Sequence, residues 1–119
     1  MKVYQCDVVE VPFNLPQGIE NHPAIVLSVD EVMEYEGVAI CLMMTSSRVE
    51  DEFTFILKPD MFEGRNPPTS YQARLQLISL FDVEQDIRPN SHHNVRMKEA
   101  DFTRLLKRII PVTFGLVAA

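Results

Sequence analysis

The sequence predicts a mainly β protein, a small β-barrel that carries one helix late in the chain. Short β-branched or apolar runs, separated by turn residues, follow one another through most of the 119 residues, which is the pattern of successive short strands. From residue 98 onward, apolar residues instead recur every three or four positions, as in a helix that packs one face on a core. A polar site is expected on one rim of the barrel, where strand ends and loops meet.

Two strands are predicted in the first thirty residues. Residues 8–11 form a β-branched run, which we expect Pro12 to end. Residues 24–29 form a second apolar run directly after Pro23, and a proline favours an extended conformation in the residue before it.

The middle of the chain predicts a buried central strand. Residues 30–36 are mostly acidic and are expected to form a hairpin loop that Gly37 closes. Residues 38–44 are almost wholly apolar, which is the pattern of a strand buried on both faces. Residues 53–57 predict a further strand, and the Lys-Pro-Asp sequence at 58–60 stops it.

The longest predicted strand follows the turn-rich loop 64–69 and runs from Tyr71 to Phe81. Because side chains alternate along a strand, one face should be apolar and the other mostly polar. The first face comprises Tyr71, Ala73, Leu75 and Leu77, and the second comprises Gln72, Arg74, Gln76 and Ile78. A polar sheet face beside a loop-rich rim is a place where a ligand can bind.

The end of the chain predicts a helix over residues 98–110. The segment has an apolar stripe with basic residues outside it. Acidic residues lie in its first turn, where they interact favourably with the helix dipole. The stripe comprises Phe102, Leu105, Leu106, Ile109 and Ile110. Pro111 is expected to end the helix. Residues 111–119 would then be an apolar tail that packs on the barrel, residues 3–97, or is covered by a second subunit.

Length and composition favour a single domain over residues 1–119. With 46% hydrophobic and 24% charged residues, and no apolar run near the roughly 20 residues that span a bilayer, the sequence predicts a soluble, cytoplasmic protein without a membrane partner. The first residues lack the apolar centre of a secretory signal. Cys6 and Cys41 fit neither a metal site nor a disulfide scaffold, so both are expected to be reduced.

The net charge of −6 is unevenly distributed. Residues 1–60 contain three basic and eleven acidic side chains, a sum of −8, whereas residues 61–119 contain eight basic and six acidic ones, a sum of +2. The overall field repels a polyanion, so a nucleic acid would have to meet the second half or a local basic rim. This distribution counts against strong general nucleic-acid binding.

The order of the segments is similar to that of the PemK/MazF toxins of bacterial toxin-antitoxin systems. The similarity covers residues 6–110 and rests on the segments 7–11, 22–28, 45–47 and 70–80 in order, not on a single motif. The resemblance implies an SH3-like barrel with a C-terminal helix. It also implies a homodimer whose groove binds single-stranded RNA, and cleavage without metal or cofactor that leaves a cyclic phosphate. An antitoxin protein would inhibit the toxin, and only the toxin-antitoxin complex would bind DNA.

The resemblance also implies where the site lies. His22 stands where the family commonly has an arginine before a proline, and Thr45 and Ser46 keep the family's hydroxyl pair. Leu75 stands where an acid is usual, and Ile78 where an arginine is frequent. The expected site therefore lacks two charged groups, and a permanent cation is replaced by a side chain that titrates near neutral pH.

The residues that remain suit RNA cleavage through the RNA's own 2′-hydroxyl. This reaction needs a base for the 2′ proton, an acid for the leaving 5′-oxygen and donors to the phosphorane. His22 is the candidate base or acid, and Thr45 and Ser46 are the candidate donors. The candidate substrate-binding residues are Ser47, Arg48, Arg74 and Gln76, and no metal is expected in the site.

Each candidate also has a structural explanation, and these alternatives stay open. Hydroxyls at a strand end can close a turn, Arg74 can be a paired surface residue, and the acidic run 50–52 can neutralise the basic rim. For the adjacent His92 and His93, a polar loop is favoured over a metal site. Whether the chain is an enzyme is therefore open. The alternative is a degenerate barrel that binds a peptide or a nucleic acid, and Leu75 in place of an acid favours it.

Overall fold

A computed structural model of the protein describes residues 2–88 and 94–116. Its described part contains seven strands and two α-helices. In chain order they are β1 (Val8–Leu15), β2 (Gly18–Val26), α1 (Asp30–Glu36), β3 (Val38–Thr45), β4 (Thr54–Ile56), β5 (Phe62–Glu63), β6 (Gln72–Asp82), β7 (Arg96–Met97) and α2 (Glu99–Phe114). A short 3₁₀ turn, Pro59–Met61, separates β4 from β5. The predicted class, mainly β with a C-terminal helix, is confirmed.

The strands form a five-stranded antiparallel sheet in the order β1-β2-β3-β6-β4 and a two-stranded sheet of β5 and β7. The small sheet joins the edge of the large one beside β1. The backbone N–H of Val8 donates to the carbonyl of Val95, and the N–H of Met97 donates to the carbonyl of Cys6, both within 2.9 Å. These bonds extend the hydrogen bonding of the large sheet beyond β1.

The apolar residues form two core clusters, one on each face of the large sheet. Leu42 and Met44 of β3 belong to the first cluster, with the buried stripe of α2, and Ala39 and Cys41 belong to the second, with Met33 of α1. All four β3 residues are fully buried. The prediction of a central strand buried on both faces is thus confirmed, and β3 separates the two halves of the core.

The prediction for the C-terminal helix was right about three residues of the apolar stripe, but wrong about Ile110, which is 47% exposed, and wrong about where the helix ends. Phe102, Leu105 and Ile109 are buried as expected, but the helix continues through Pro111 to Phe114. A proline this close to the end removes one hydrogen bond from the last turns, and Gly115 ends the helix in the left-handed conformation, at φ 69°. Residues 111–114 therefore belong to the helix and not to the predicted tail.

Pro12 does not end the first strand, which continues to Leu15. The strand β1 lies at the edge of the large sheet. The carbonyl of Glu10 points away from β2, since it accepts from the N–H of Arg88, and the nitrogen of Pro12 has the same orientation because backbone groups alternate. An edge strand tolerates proline where no ladder donor is needed.

Residues 30–36 are a helix and not the expected hairpin loop. Acids stand in the first turn of α1, Met33 packs into the second core cluster, and Gly37 caps the C-terminus at φ 68°. The hairpin lies earlier, between β1 and β2, where Leu15 pairs with Gly18. As a result, β2 begins at Gly18 and ends at Val26, earlier at both ends than the predicted 24–29.

The long strand β6 was predicted at nearly its correct length, but its alternation is broken. Leu42 of β3 pairs with Ile78 of β6, and Met44 pairs with Ala73. A step of two residues along β3 therefore corresponds to a step of five residues along β6. This irregularity changes which face the odd-numbered residues occupy. Leu75 therefore packs in the first cluster and Leu77 against the second, although the sequence placed them on one face.

Both cysteines are free, as expected, and both are buried. Burial raises the pKa of the Cys41 thiol to about 12 and also raises that of Cys6. Among residues 2–88 and 94–116, no helix has the length and apolar character needed to cross a bilayer.

Replacing Leu105 with alanine tests the packing of α2. Leu105 is fully buried in the first cluster, so Leu105→Ala should lower the free energy of unfolding by about 2–5 kcal/mol in a urea titration. The matched control is Leu116→Ala, because Leu116 is 63% exposed and its truncation should change stability by no more than about 0.5 kcal/mol. Equal losses in the two variants would contradict the packing described.

Candidate functional site

A shallow cavity of about 260 Å³ opens on the face of the sheet that carries the second core cluster. It lies between the end of β3, the start of β6 and the segment that links β3 to β4. Its lining residues are Met43, Thr45, Ser47, Val49, Asp51, Gln72, Arg74 and Leu77. Three of the seven candidate site residues, Thr45, Ser47 and Arg74, therefore meet at one cavity.

Gln72 is the central side chain of the cavity, and it is fully buried. Its amide nitrogen donates to the carbonyls of Ser47 and Val49, at 2.8 and 2.7 Å. Its amide oxygen accepts from the hydroxyl of Thr54 at 2.8 Å and from Nη1 of Arg74 at 3.0 Å. Both donors and both acceptor positions of the amide are used. The amide thus ties the exposed segment 46–51 to β6.

Arg74 is a paired residue. Its Nη1 and Nη2 donate to Oδ1 and Oδ2 of Asp51, both at 2.9 Å, in the two-bond geometry of an arginine and a carboxylate. Nη1 also donates to the hydroxyl of Thr54 at 3.1 Å. These bonds from Arg74, and the N–H of Phe53, hold the pKa of Asp51 below its usual value. The positive charge at the cavity is therefore matched by an internal carboxylate.

The hydroxyl residues at the end of β3 form local turns. Oγ1 of Thr45 accepts from the N–H of Ser47 at 3.2 Å, and Oγ of Ser47 accepts from the N–H of Val49 at 3.3 Å. Ser46 is exposed. Each accepting hydroxyl keeps its own proton free to donate, so the turns leave Thr45 and Ser47 able to donate to a ligand.

An aromatic side chain flanks this segment. The guanidinium of Arg48 lies 4.6 Å from the ring centroid of Tyr71, and the Tyr71 hydroxyl donates to Glu50 at 2.9 Å. That hydrogen bond to an acid raises the pKa of Tyr71. Arg48 is exposed and is the cation in this group that carries no carboxylate partner among the described residues.

His22 lies on the same sheet face as the cavity. It pairs with Val11 in the register of β1 and β2, and its ring meets the edge of Phe13 at 6.2 Å; both partners belong to the second core cluster. Paired residues share a face. The described pairing of β2 with β3 ends at Ala24 and Met43, and the same register continued by two residues would place His22 opposite Thr45.

His22 makes no polar contact with the other candidate catalytic residues in the described part of the chain. Nε2 of His22 is 3.6 Å from Oε1 of Glu20, and the His22 side chain is 20% exposed. Within residues 2–88 and 94–116, no hydrogen bond or ion pair joins His22 to Thr45 or Ser46. The two sets of residues share a face and remain separate.

The last substrate-binding candidate, Gln76, is exposed and lies at the irregular stretch of β6. It does not line the cavity. Leu75, which holds the position where the resemblance expects an acid, is fully buried in the first cluster on the opposite face. The cavity thus receives residues 72 and 74 of β6, and not residues 75 and 76.

Two site residues, Gln72 and Asp51, were not among the candidates. The alternation of β6 placed Gln72 on the same face as Arg74, which was the available signal, but a buried glutamine cannot be distinguished from an exposed one by alternation alone. Asp51 was considered only as part of a charged run. Its pairing needs the turn at residues 51–54, where the N–H of Asp51 donates to the hydroxyl of Thr54.

No group of three His, Cys, Asp or Glu side chains in the described part of the chain is placed to hold a metal ion. His92 and His93, considered above for metal binding, lie outside the described residues.

Comparison with known proteins gives one family match. The model of the PemK-like, MazF-like toxins of type II toxin-antitoxin systems matches residues 4–112. The match covers both sheets and most of α2, including every residue of the cavity.

Similar solved structures include toxins alone and toxins with antitoxins. An endoribonuclease from a mycobacterial species in complex with its cognate antitoxin has a TM-score of 0.70 at 11% identity, and the match covers 98% of this chain and 99% of that one. MazF from Deinococcus radiodurans has a TM-score of 0.69 at 14% identity, with 98% and 99% covered. A MazE-MazF complex from the same organism has a TM-score of 0.68 at 13% identity, with 98% and 100% covered. These similarities establish the fold.

A curated protein also matches over part of its length. The highly reducing polyketide synthase pkhB of Emericella nidulans is 29% identical over 92 residues, which make up 71% of this chain and 4% of that protein. The chain therefore spans a very small part of this relative. The match gives no reason to assign polyketide synthesis to the chain.

Removing the Gln72 amide tests whether it holds the segment 46–51. Gln72→Ala leaves two carbonyls and the Thr54 hydroxyl without their partner, so it should lower the free energy of unfolding by about 1–3 kcal/mol. It should also speed amide hydrogen exchange in the segment. Gln76→Ala, an exposed change in the same strand, is the control and should have neither effect. Unchanged exchange in Gln72→Ala would contradict the role assigned to the amide.

Proposed function

Because the chain belongs to the PemK-like, MazF-like toxin family of type II toxin-antitoxin systems, we propose that it is an endoribonuclease that cleaves single-stranded RNA without a metal ion. The substrate would bind at the cavity on the second-cluster face. The observation that supports this most strongly is that His22, Thr45, Ser47 and Arg74 share that face, with three of them at one cavity.

The proposed reaction uses the RNA's own 2′-hydroxyl as nucleophile. The 2′-oxygen forms a bond to phosphorus, the bond from phosphorus to the 5′-oxygen breaks, and the products are a cyclic phosphate and a 5′-hydroxyl. The 2′ proton leaves to a base, and the departing 5′-oxygen gains a proton from an acid. A single positioned acid or base contributes about 10²–10⁴-fold to such a rate.

Each candidate has a role in this scheme. His22 acts as the base or the acid, because an imidazole can accept or donate a proton, and Oε1 of Glu20 lies 3.6 Å from its Nε2. Thr45 and Ser46 donate hydrogen bonds to phosphate oxygens and so stabilise the charge that develops there. Ser47, Arg48, Arg74 and Gln76 bind the rest of the substrate.

The proposed partners follow from the family. The chain would form a homodimer in the cytoplasm, an antitoxin would inhibit it, and DNA would bind only to the toxin-antitoxin complex. Two of the similar structures are described as complexes with an antitoxin, which supports an antitoxin as partner. The net charge of −6 fits the expectation that the chain alone binds duplex DNA weakly.

A second candidate function is a binding module that has lost the chemistry. Two observations favour it: Asp51 neutralises Arg74, and buried Leu75 supplies no acid to the cavity. In that case the same face binds a peptide or nucleic acid without cutting it. A neighbouring small reading frame for an antitoxin would favour the enzyme, since a module without activity needs no inhibitor.

Incubation of the purified protein with a long single-stranded RNA in EDTA tests the enzyme proposal at His22. The wild type should cut the RNA at discrete positions and leave cyclic phosphate ends. His22→Ala should reduce the cleavage rate by about 10²-fold or more, because it removes a general acid or base.

The control variant is Asn21→Ala, which changes the neighbouring residue of β2 and should leave the rate unchanged. Circular dichroism and sedimentation verify the fold and the oligomeric state of each protein. Full cleavage by His22→Ala would contradict the role of His22, and RNA left intact by well-folded wild type would favour the binding module.

A further inference from the structure

We propose that Asp51 occupies, in the free protein, the position on Arg74 that a phosphate of the RNA backbone takes when RNA binds. Asp51 is then an internal competitor of the substrate. The inference rests on the proposed RNA function of the same cavity, and it adds a regulatory residue to it.

The geometry of the pair is that of an anion site. The two terminal nitrogens of Arg74 each reach one oxygen of Asp51 at 2.9 Å. A non-bridging pair of phosphate oxygens presents the same two acceptors to a guanidinium fork. The carboxylate therefore fills the position where a backbone phosphate would bind with both its oxygens.

Two uncharged groups also accept hydrogen bonds from Arg74. Nη1 donates to the hydroxyl of Thr54 at 3.1 Å and to the amide oxygen of Gln72 at 3.0 Å. Gln72 is fully buried and is itself fixed by the carbonyls of Ser47 and Val49. These bonds keep the guanidinium aimed at the cavity when Asp51 moves away, so the site is ready for an incoming anion.

Asp51 is the more replaceable partner of the pair. Its side chain is 47% exposed, whereas that of Arg74 is 13% exposed. Water therefore reaches the carboxylate of the pair and weakens its hold on Arg74. A small free anion competes poorly with a carboxylate tethered at high effective concentration, but an RNA that also contacts Thr45, Ser47 and Arg48 can displace it. The pair would thus select polyanions over single phosphate ions.

Binding of a non-cleavable 2′-O-methyl RNA, followed by fluorescence anisotropy at one ionic strength, tests this inference. Asp51→Asn removes the competing charge, and the amide oxygen can still accept from the N–H of Phe53. The variant should bind the RNA about three- to tenfold more tightly. The matched control is Glu52→Gln, which makes the same charge change at an exposed neighbour that makes no ion pair with Arg74. It should give less than half of that gain.

A double variant separates the local effect from a general field effect. If Asp51 acts through Arg74, the gain from Asp51→Asn should disappear in the Arg74→Gln background. Equal affinity of the wild type and Asp51→Asn would overturn the inference and leave RNA binding in place. An equal gain from Glu52→Gln would also overturn it.

A measurement of inorganic phosphate binding distinguishes failure of the inference from failure of the proposed function. If none of the proteins bound RNA, this result would contradict the proposed function. In that case, tighter binding of inorganic phosphate by Asp51→Asn than by Glu52→Gln, measured by calorimetry, would still support an anion position on Arg74. Equal phosphate binding would overturn that position as well.

Discussion

The buried amide of Gln72 is the interaction on which the candidate site depends. It lies at the start of β6 and uses every donor and acceptor position, on two backbone carbonyls, one hydroxyl and Arg74. A buried amide without partners is costly, whereas a satisfied one fixes its neighbours in a single arrangement. Through this one side chain, the exposed segment after β3 acquires a defined position, and Arg74 acquires a defined direction.

The fold makes this amide network possible. The irregular pairing between β3 and β6 directs Leu75 into one core cluster and Leu77 towards the other. Residues 72 and 74 face the cavity together because side chains alternate along a strand, and the irregular pairing turns Leu77 to the same face. The hydroxyl of Thr113 in α2 donates to the carbonyl of Leu75, which links the C-terminal helix to the same part of β6. The helix, the core and the cavity are thus connected through one strand.

The sequence was sufficient for the fold class, the central strand and three of the five stripe residues of α2, because each rests on a strong apolar pattern. It was insufficient where the position of an element in the fold decides where that element ends. Pro12 is tolerated because β1 is an edge strand. Pro111 is tolerated because it lies in the last turn of α2, which Gly115 ends. Of the residues that line the cavity, Thr45, Ser47 and Arg74 were candidates from the sequence. Gln72 was not, because its hydrogen bonds come from a segment 23–25 residues earlier in the chain.

The charge balance at the cavity links the structure to the proposed function. If the proposal is right, the cavity binds RNA only when the RNA replaces Asp51 on Arg74, and this one pair of side chains then sets both affinity and selectivity. A crystal structure of the protein with a non-cleavable 2′-O-methyl RNA tests this account most directly. The account predicts a backbone phosphate on the Arg74 fork beside Thr45, with Asp51 displaced and Gln72 unmoved. RNA bound on another face, with Asp51 still on Arg74, would contradict it.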